Sequence, residues 1–328
     1  MSQNVLVAGG AGYVGSHVCL ALKEAGFTPV VFDNLCNGHA EFVQWGPLEI
    51  GDVRDAARLD EVITLHRPVA VMQLAALTEI EDSVREPDRF HDNNVSGTIK
   101  LIEAAGRGRV EVMVFSSSCA IYGDPVYLPM DEAHPQVPPS PYGRTKLMVE
   151  QALADYSNDA GFRSVSLRYF NAAGADELGR IGERHHPETH AIPLALQAAL
   201  GQGAGFRIFG DDYDTRDGSA VRDYVHVTDL ADAHVRALHY LLAGGATTAF
   251  NLGTGTGTTV KELIAIIRSA TRLPLEVEVA SRRPGDAPCL VADNLRARDI
   301  LGWKPARSLD DIVRSAWRWH AAEARLPT

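Results

Sequence analysis

The sequence predicts an α/β fold, a parallel sheet covered by helices on both faces, with a smaller lobe in the second half of the chain. Three observations carry this expectation. Short apolar runs alternate with helical patterns through the first half, a glycine-rich turn follows the first run, and the composition is that of an ordinary folded chain. The 328 residues are 45% hydrophobic and 22% charged, enough for about two domains with a sizeable core.

Val5-Leu6-Val7-Ala8 opens the chain as a strand and precedes a helical stretch over 14–25. Val30-Val31-Phe32 follows, then a helical pattern over 56–66, the run Val69-Ala70-Val71-Met72, and a helix over 93–105. Val112-Met113-Val114-Phe115 runs into Ser116-Ser117-Ser118, and a helix over 141–160 leads to Val165-Ser166-Leu167. Near-continuous apolar runs mark strands buried on both faces, which is the condition of a parallel sheet. After about residue 170 glycine, histidine, aspartate and arginine become frequent, as in Gly201-Gln202-Gly203-Ala204-Gly205 and Asp211-Asp212-Tyr213-Asp214. Phe250-Asn251-Leu252 reads as a returning strand, and Thr259 with Glu262 has capping-box spacing before an apolar helix over 260–270.

Lys and Arg number 31 against 42 Asp and Glu, a net charge of -11 with no basic tail. Binding to nucleic acid or an anionic membrane needs a clustered positive field, so neither partner is expected. No run approaches 18 apolar residues and Met1 leads into a strand without a signal-peptide layout, so a cytoplasmic location is expected. Cys19, Cys36, Cys119 and Cys289 are scattered without metal or disulfide spacing and are expected as reduced thiols.

The first strand runs into Gly9-Gly10-Ala11-Gly12-Tyr13-Val14-Gly15. Glycines at 9, 12 and 15 between a strand and a helix let a pyrophosphate approach bare backbone amides and the positive helix end, the arrangement of a Rossmann-type doubly wound sheet. No Lys-Ser/Thr follows, so this is not a nucleoside-triphosphate loop. The second strand ends at Asp33, where a carboxylate can accept both ribose hydroxyls and repel a 2′-phosphate. With Asn34 and Leu35 offering no cation, the expected cofactor is NAD rather than NADP. Asp52 and Val53, at the end of the third strand, are placed to meet the adenine. Gly253, Gly255 and Gly257 compete for the same role, but no acid-tipped strand follows, and they read as a strand-to-helix turn.

Tyr142 and Lys146 stand four apart after Ser140 and Pro141, a good N-cap and first helical residue, so both fall on one helix face. A tyrosine with a pKa near 10 is too weak a base at neutral pH. A neighbouring ammonium and a positive nicotinamide would favour the phenolate. Such a pair is by itself commonplace on a solvated helix. What gives it weight is the strand ending in Ser116-Ser117-Ser118, because carboxyl ends of parallel strands line the ligand crevice.

Gly-x-x-Gly-x-x-Gly, the strand-end serine, Tyr142-x-x-x-Lys146 and Arg168-Tyr169-Phe170-Asn171 together resemble the extended short-chain dehydrogenase/reductase superfamily. Asp33 to Gly38, Asp92-Asn93-Asn94-Val95, Ser118 through Tyr122-Gly123-Asp124 and Val221-Arg222-Asp223-Tyr224-Val225-His226-Val227 are similar to its UDP-glucose (UDP-galactose) 4-epimerase family, from residue 4 to about 320. The resemblance implies a smaller, interleaved C-terminal substrate lobe: residues 1–170 plus about 222–258 would bind NAD, and 171–221 plus about 259–328 the UDP-sugar. It implies that Tyr142 takes the proton of the sugar 4-hydroxyl while hydride passes to NAD, giving a 4-keto sugar that turns over and is reduced on its other face. Ser118 would hydrogen-bond the 4-oxygen, and Lys146 would hold the nicotinamide ribose. Implied cofactor contacts are Gly9, Gly12, Tyr13, Val14, Gly15, Asp33 to Gly38 (with Asn34, Leu35, Cys36 and Asn37), Asp52, Val53, Leu74, Ala75, Ala76, Asn93, Ser116 and Phe170. Asn171, His190, Arg222, Arg283, Asp286 and Leu290 would meet the substrate, the two arginines with Asp286 at the UDP diphosphate and ribose. The family is commonly a homodimer.

Three departures stand out: Gln73 where the family has histidine, Thr78 where some members have lysine, and Glu81-Asp82-Ser83 where Gly-Glu-Ser is usual. They touch the holding of the cofactor's phosphates. His185-His186-Pro187-Glu188-Thr189-His190 tempts a metal reading, but Pro187 breaks the helix that would join His186 to His190 and no second carboxylate is evident, so no metal is expected. His226, Trp303, Trp317 and Trp319 are expected to pack. A sister 4,6-dehydratase needs acidic residues after the strand-end serine, and Cys119 and Ala120 cannot serve. A non-catalytic NAD-binding regulator should have lost part of the Ser118, Tyr142 and Lys146 set. Leu290 lies where a bulky aromatic excludes N-acetyl sugars and a small residue admits them, leaving UDP-N-acetylhexosamines and UDP-pentoses open.

Overall fold

The computed structural model describes residues 2–202, 205–283 and 285–324. Gly203 and Ala204 of the glycine-rich stretch, Pro284, and residues 325–328 of the expected lobe lie outside them. Strands in the first half are β1 (Asn4–Ala8), β2 (Thr28–Asp33), β3 (Leu48–Ile50), β4 (Ala70–Gln73), β5 (Val112–Ser118) and β6 (Arg163–Tyr169). The second half adds β7 (Asn171–Ala173), β8 (Phe206–Phe209), β9 (Val221–Arg222), β10 (Tyr224–His226), β11 (Thr248–Leu252), β12 (Thr258–Thr259), β13 (Val277–Ala280) and β14 (Cys289–Leu290). The α-helices are α1 (Tyr13–Glu24), α2 (Ala56–His66), α3 (Ile80–Arg85), α4 (Pro87–Phe90), α5 (Gly97–Arg107), α6 (Pro141–Ala160), α7 (Ala191–Ala199), α8 (Val227–Leu242), α9 (Val260–Thr271), α10 (Leu295–Leu301) and α11 (Leu309–Glu323).

A seven-stranded sheet has the order β11-β6-β5-β4-β1-β2-β3, and every neighbouring pair is parallel. The apolar runs explain why it is covered twice. Val5, Val7, Val112, Val114, Val165 and Leu167 point to one face, against α1 and α8. Leu6, Ala8, Met113 and Phe115 point to the other, against α2, α5 and α6. Because side chains alternate along a strand, each run feeds two cores. The strand expected at 250–252 joins this sheet beside β6, as the sequence suggested.

Local signals set the helix boundaries. Asp55 caps α2 by accepting from Ala57 and Arg58, and Ser140 caps α6 by accepting from the Gly143 amide behind Pro141 at the first turn. Thr259 and Glu262 form the expected capping box of α9. The single helix expected over 93–105 is instead a π-helical segment, His91–Ser96, that continues into α5. There Asn94 turns inward and holds the Leu77 N–H and C=O with its side-chain amide. Wide turns of this kind reposition a side chain without ending the helix.

A third core serves the second half, built from α7, α9, α11, β8 and β13 around Leu196, Ile208, Leu263, Ile267, Ile312 and Val313. Trp303 is fully buried with its indole N–H on the Asp229 carbonyl, Trp319 packs beside Phe42 and Ile181, and Trp317 packs against the third core. His226 is buried on Ser315, and burial pulls its pKa down to about 3. Among the described residues no helix is long and apolar enough to cross a membrane.

Candidate active site

In a parallel sheet all carboxyl ends face one edge, so Ala8, Asp33, Gln73, Ser118 and Tyr169 come together there. Beyond β1 the chain makes the glycine turn. Gly9 has φ +81°, and a Cβ there would lie 2.5 Å from the Ala75 nitrogen; a Cβ on Gly15 would lie 2.1 Å from the Gly9 carbonyl oxygen. These two glycines are required by the chain itself. Gly12 is not: its nearest neighbour would be 3.4 Å away, and φ is -81°. Its missing side chain leaves room in front of α1, which begins with no side-chain cap, so the amides of its first turn, Tyr13, Val14 and Gly15, are left for an anion. The Tyr13 hydroxyl is occupied, donating to the Gly174 carbonyl.

Asp33 is buried and ties this turn in place, accepting from Ala11 N–H at 3.0 Å and Leu35 N–H at 2.9 Å. Burial raises its carboxyl pKa against those amides. Asn34, Cys36 and Asn37 are exposed beside it, and Gly38 is close enough that a Cβ would crowd Asp33 and Ala11. Asp52 lies two residues beyond the end of β3 rather than in it. It accepts from Arg54 and from the Asn34 amide, and the Arg54 guanidinium holds its pKa well below the carboxylate range. Arg54 also pairs with Asp92, so this cation near the end of β3 is spent on two carboxylates. That favours a cofactor without a 2′-phosphate. Val53 is buried, and Leu74, Ala75 and Ala76 are half-buried next to the turn, where Leu74 N–H donates to the Ala8 carbonyl. Asn93 is half-buried and donates to Asn94, whose amide joins the Leu77 loop to Thr145 of α6. Gln73 is buried on Thr98 and the Ala75 carbonyl, and Thr78 is exposed, so neither supplies a positive charge.

Tyr142 and Lys146 lie one turn apart on α6, both buried, with the Lys146 ammonium 5.8 Å from the Tyr142 ring centroid and 5.0 Å from that of Phe115. The ammonium donates to the Ser116 carbonyl at 2.8 Å, while the Ser116 hydroxyl meets His234. Burial pushes the Tyr142 phenol above its ordinary value, and hydrogen bonding with Ser118 only partly opposes this. Burial also draws Lys146 down to about 7, against the pull of Glu150. The expected lowering of Tyr142 is therefore not achieved by the protein's own charges: two buried groups side by side each resist ionisation. Ser118 accepts from the Ala120 amide and closes the turn after β5.

One helical turn beyond Lys146, Glu150 is buried against Arg168, which also donates to Tyr122; Glu150 accepts from Ser117 as well. This network one turn beyond Tyr142 and Lys146 was not singled out from sequence, although the four-residue step from Lys146 to Glu150 was a usable signal. Phe170 is buried in an apolar cluster with Ile121, Tyr122 and Met130, against which Leu290 and Cys119 pack. Leu290 pairs in register with Arg222. Arg222 reaches the Ala287 carbonyl and lies 3.6 Å from Asp286, and Arg283 stacks on Phe209 with its guanidinium carbon 3.7 Å from the ring centroid. The Asn171 amide donates to the Asp223 carbonyl. Asp223, also missed, is fully buried and accepts from the Thr254, Gly255 and Ala292 amides.

The histidine stretch needs one correction. Pro187 does prevent a helix, but a second carboxylate is near: the loop folds back so that Glu183 joins Glu188, His185 and His190, while His186 stays exposed. Four residues lie between Glu183 and Glu188, and only the turn they make brings the two carboxylates together.

A model of the NAD dependent epimerase/dehydratase family matches residues 5–253. The UDP-glucose 4-epimerase of Rhizobium leguminosarum bv. trifolii is 61% identical over 319 residues, covering 97% of this chain and 98% of that protein. The UDP-glucose 4-epimerase of Brucella ovis, solved in complex with NAD, superposes with a TM-score of 0.95 at 47% identity, covering 97% and 98% of the two chains. That of Stenotrophomonas maltophila, solved with bound NAD and formylated UDP-arabinopyranose, gives a TM-score of 0.96 at 39% identity over 98% and 99%.

Proposed function

The chain belongs to the NAD dependent epimerase/dehydratase family, and on that premise we propose how its own residues carry out the reaction of an NAD-dependent UDP-glucose 4-epimerase, an isomerase that interconverts UDP-galactose and UDP-glucose. The observation that carries the residue assignment is the meeting of Tyr142, Lys146 and Ser118 at strand ends next to the open glycine turn. The cradle fits the cofactor: α1 is uncapped, Gly12 leaves space before it, and Asp33 stands at the end of β2 for the ribose.

When bound, NAD would supply the acceptor for the hydride leaving the sugar C4, together with a positive charge. Tyr142 takes the proton of the 4-hydroxyl as the C4–H bond breaks, leaving a C4=O double bond. Ser118 donates to that oxygen and keeps it aimed at Tyr142. Lys146, fixed by the Ser116 carbonyl, holds the ribose side and adds its charge to the phenolate. After the keto sugar has turned over, Tyr142 would give the proton back to the oxygen, and return of the hydride to the other face of C4 would leave net oxidation at zero. Phe170 and Leu290 bound the apolar side of the pocket, and Arg222, Arg283 and Asp286 hold the UDP diphosphate and ribose, with Asn171 and His190 nearby. The dinucleotide domain is residues 1–170 plus about 222–258, and the UDP-sugar lobe is 171–221 plus about 259–328. A homodimer in the cytoplasm completes the proposal, supported by the family resemblance and by four free cysteines.

Incubation of the purified protein with UDP-galactose is expected to yield UDP-glucose without accumulating NADH; no product, even with added NAD, would overturn the reading. Tyr142→Phe should lower kcat about 10³-fold while NAD stays bound. Normal turnover in that variant would remove Tyr142 from the role of base.

A further inference from the structure

Outside the reacting centre, the loop between β7 and α7 brings together two carboxylates and two imidazoles. One donor atom from each of Glu183, His185, Glu188 and His190 lies within 4.8 Å of all the others. Nδ1 of His190 is 2.9 Å from Glu183 Oε1 and 3.1 Å from Glu188 Oε1; Nδ1 of His185 is 3.4 Å from Glu183 Oε1 and 3.8 Å from Glu188 Oε2. A tetrahedral zinc ion with bonds of about 2.0–2.2 Å holds its donors about 3.4 Å apart. Through Oε1 of Glu183 and of Glu188, the separations of 2.9, 3.1 and 3.4 Å to the two imidazoles lie near that value.

We propose that Glu183, His185, Glu188 and His190 bind one divalent transition-metal ion of the zinc class, which clamps this loop. The donor set is chemically apt, since imidazole and carboxylate together suit zinc and its neighbours, and two carboxylates neutralise a divalent charge. Both carboxylates are withdrawn from water, with Glu183 and Glu188 side chains only 4% and 5% exposed. A second observation supports a ligand role: Nδ1 of His185 is buried and makes no well-formed hydrogen bond, although it lies 3.4 Å from Glu183 Oε1 and 3.8 Å from Glu188 Oε2. Deprotonated, that nitrogen would be free to ligate an ion held by the two carboxylates.

The surroundings hold the ligands in position, as outer partners do in metal sites. Glu188 Oε1 accepts from the Thr189 and His190 amides at 2.8 and 2.9 Å, and the Glu183 carbonyl accepts from the Trp319 indole of α11 at 3.0 Å. With four protein ligands the site is closed and structural in type, not hydrolytic. His190 is also the N-cap residue of α7, and His185 packs edge-on to Tyr13 with ring centroids 6.4 Å apart. The ion would thus fix the loop between α7 and the first turn of α1.

Titration of metal-free protein with zinc chloride by calorimetry, and with cobalt(II) followed by visible absorption, tests this. One zinc per chain and the intense bands of tetrahedral cobalt are expected. His185→Gln and Glu188→Gln should each weaken zinc binding about 100-fold or more. Absence of stoichiometric binding to the wild-type chain, or binding that both variants retain unchanged, overturns the proposal. If Glu188→Gln does not fold, His185→Gln, at the more exposed ligand, decides alone.

Discussion

The chain contains two glycine-rich turns after parallel strands of the same sheet, at 9–15 and at 253–257, and they are used in opposite ways. Each has a buried aspartate beside it. Asp33 takes one amide of the first turn and one of its own loop, leaving the start of α1 uncapped. Asp223 takes two amides of the second turn, plus the Thr254 hydroxyl and the Ala292 amide, so a carboxylate of the protein fills the space a phosphate would need. A Cβ at Gly253 would lie 2.5 Å from that carboxylate. A glycine pattern therefore marks close approach, and the neighbour that approaches decides whether it is a ligand site or a brace.

The contrast can be broken at several points. The largest effect is expected for Gly15→Ala, whose Cβ would meet the Gly9 carbonyl oxygen at 2.1 Å. It should cost about 3 kcal/mol or more and abolish NAD retention, read by urea unfolding and by the nucleotide content of the purified protein. Asp223→Asn comes next. Turning one acceptor into a donor opposite backbone N–H groups should cost about 2–3 kcal/mol and raise the KM for UDP-sugar, since Arg222 adjoins it, while NAD remains bound. Loss of NAD in that variant would mean that the second turn serves the cofactor after all. The smallest and most discriminating effects come from Gly12→Ala and Gly255→Ala. The first should leave stability within about 0.5 kcal/mol and weaken NAD at least about tenfold, because only a ligand needs that space. The second, at φ +77°, should cost about 1 kcal/mol of stability and leave NAD affinity unchanged.

Much of this arrangement could be read in the residues. The alternation of Val5 to Ala8 and its counterparts, the caps at Ser140 and Thr259, and the acid at Asp33 are local signals, and the structure keeps them all. The π-helical segment at His91–Ser96 was not visible, because Asn94 is drawn inward by Leu77, seventeen residues away in sequence. The ionisation of Tyr142 has a related limit. Spacing placed Lys146 beside it, but not the depth at which both lie, and burial by itself raises the phenol and lowers the amine.

The sequence by itself determined the parallel sheet, the glycine turn between β1 and α1 and the positions of Ser118, Tyr142 and Lys146, since each depends on periodicity, capping or spacing within a few residues. Only the tertiary structure decided which glycine turn stays open, that Glu150 and Arg168 pair one turn beyond Lys146, and that Glu183 meets Glu188 and both histidines. Those outcomes depend on desolvation and on contacts between distant segments, which come into being only when the sheet and its lobe close around them.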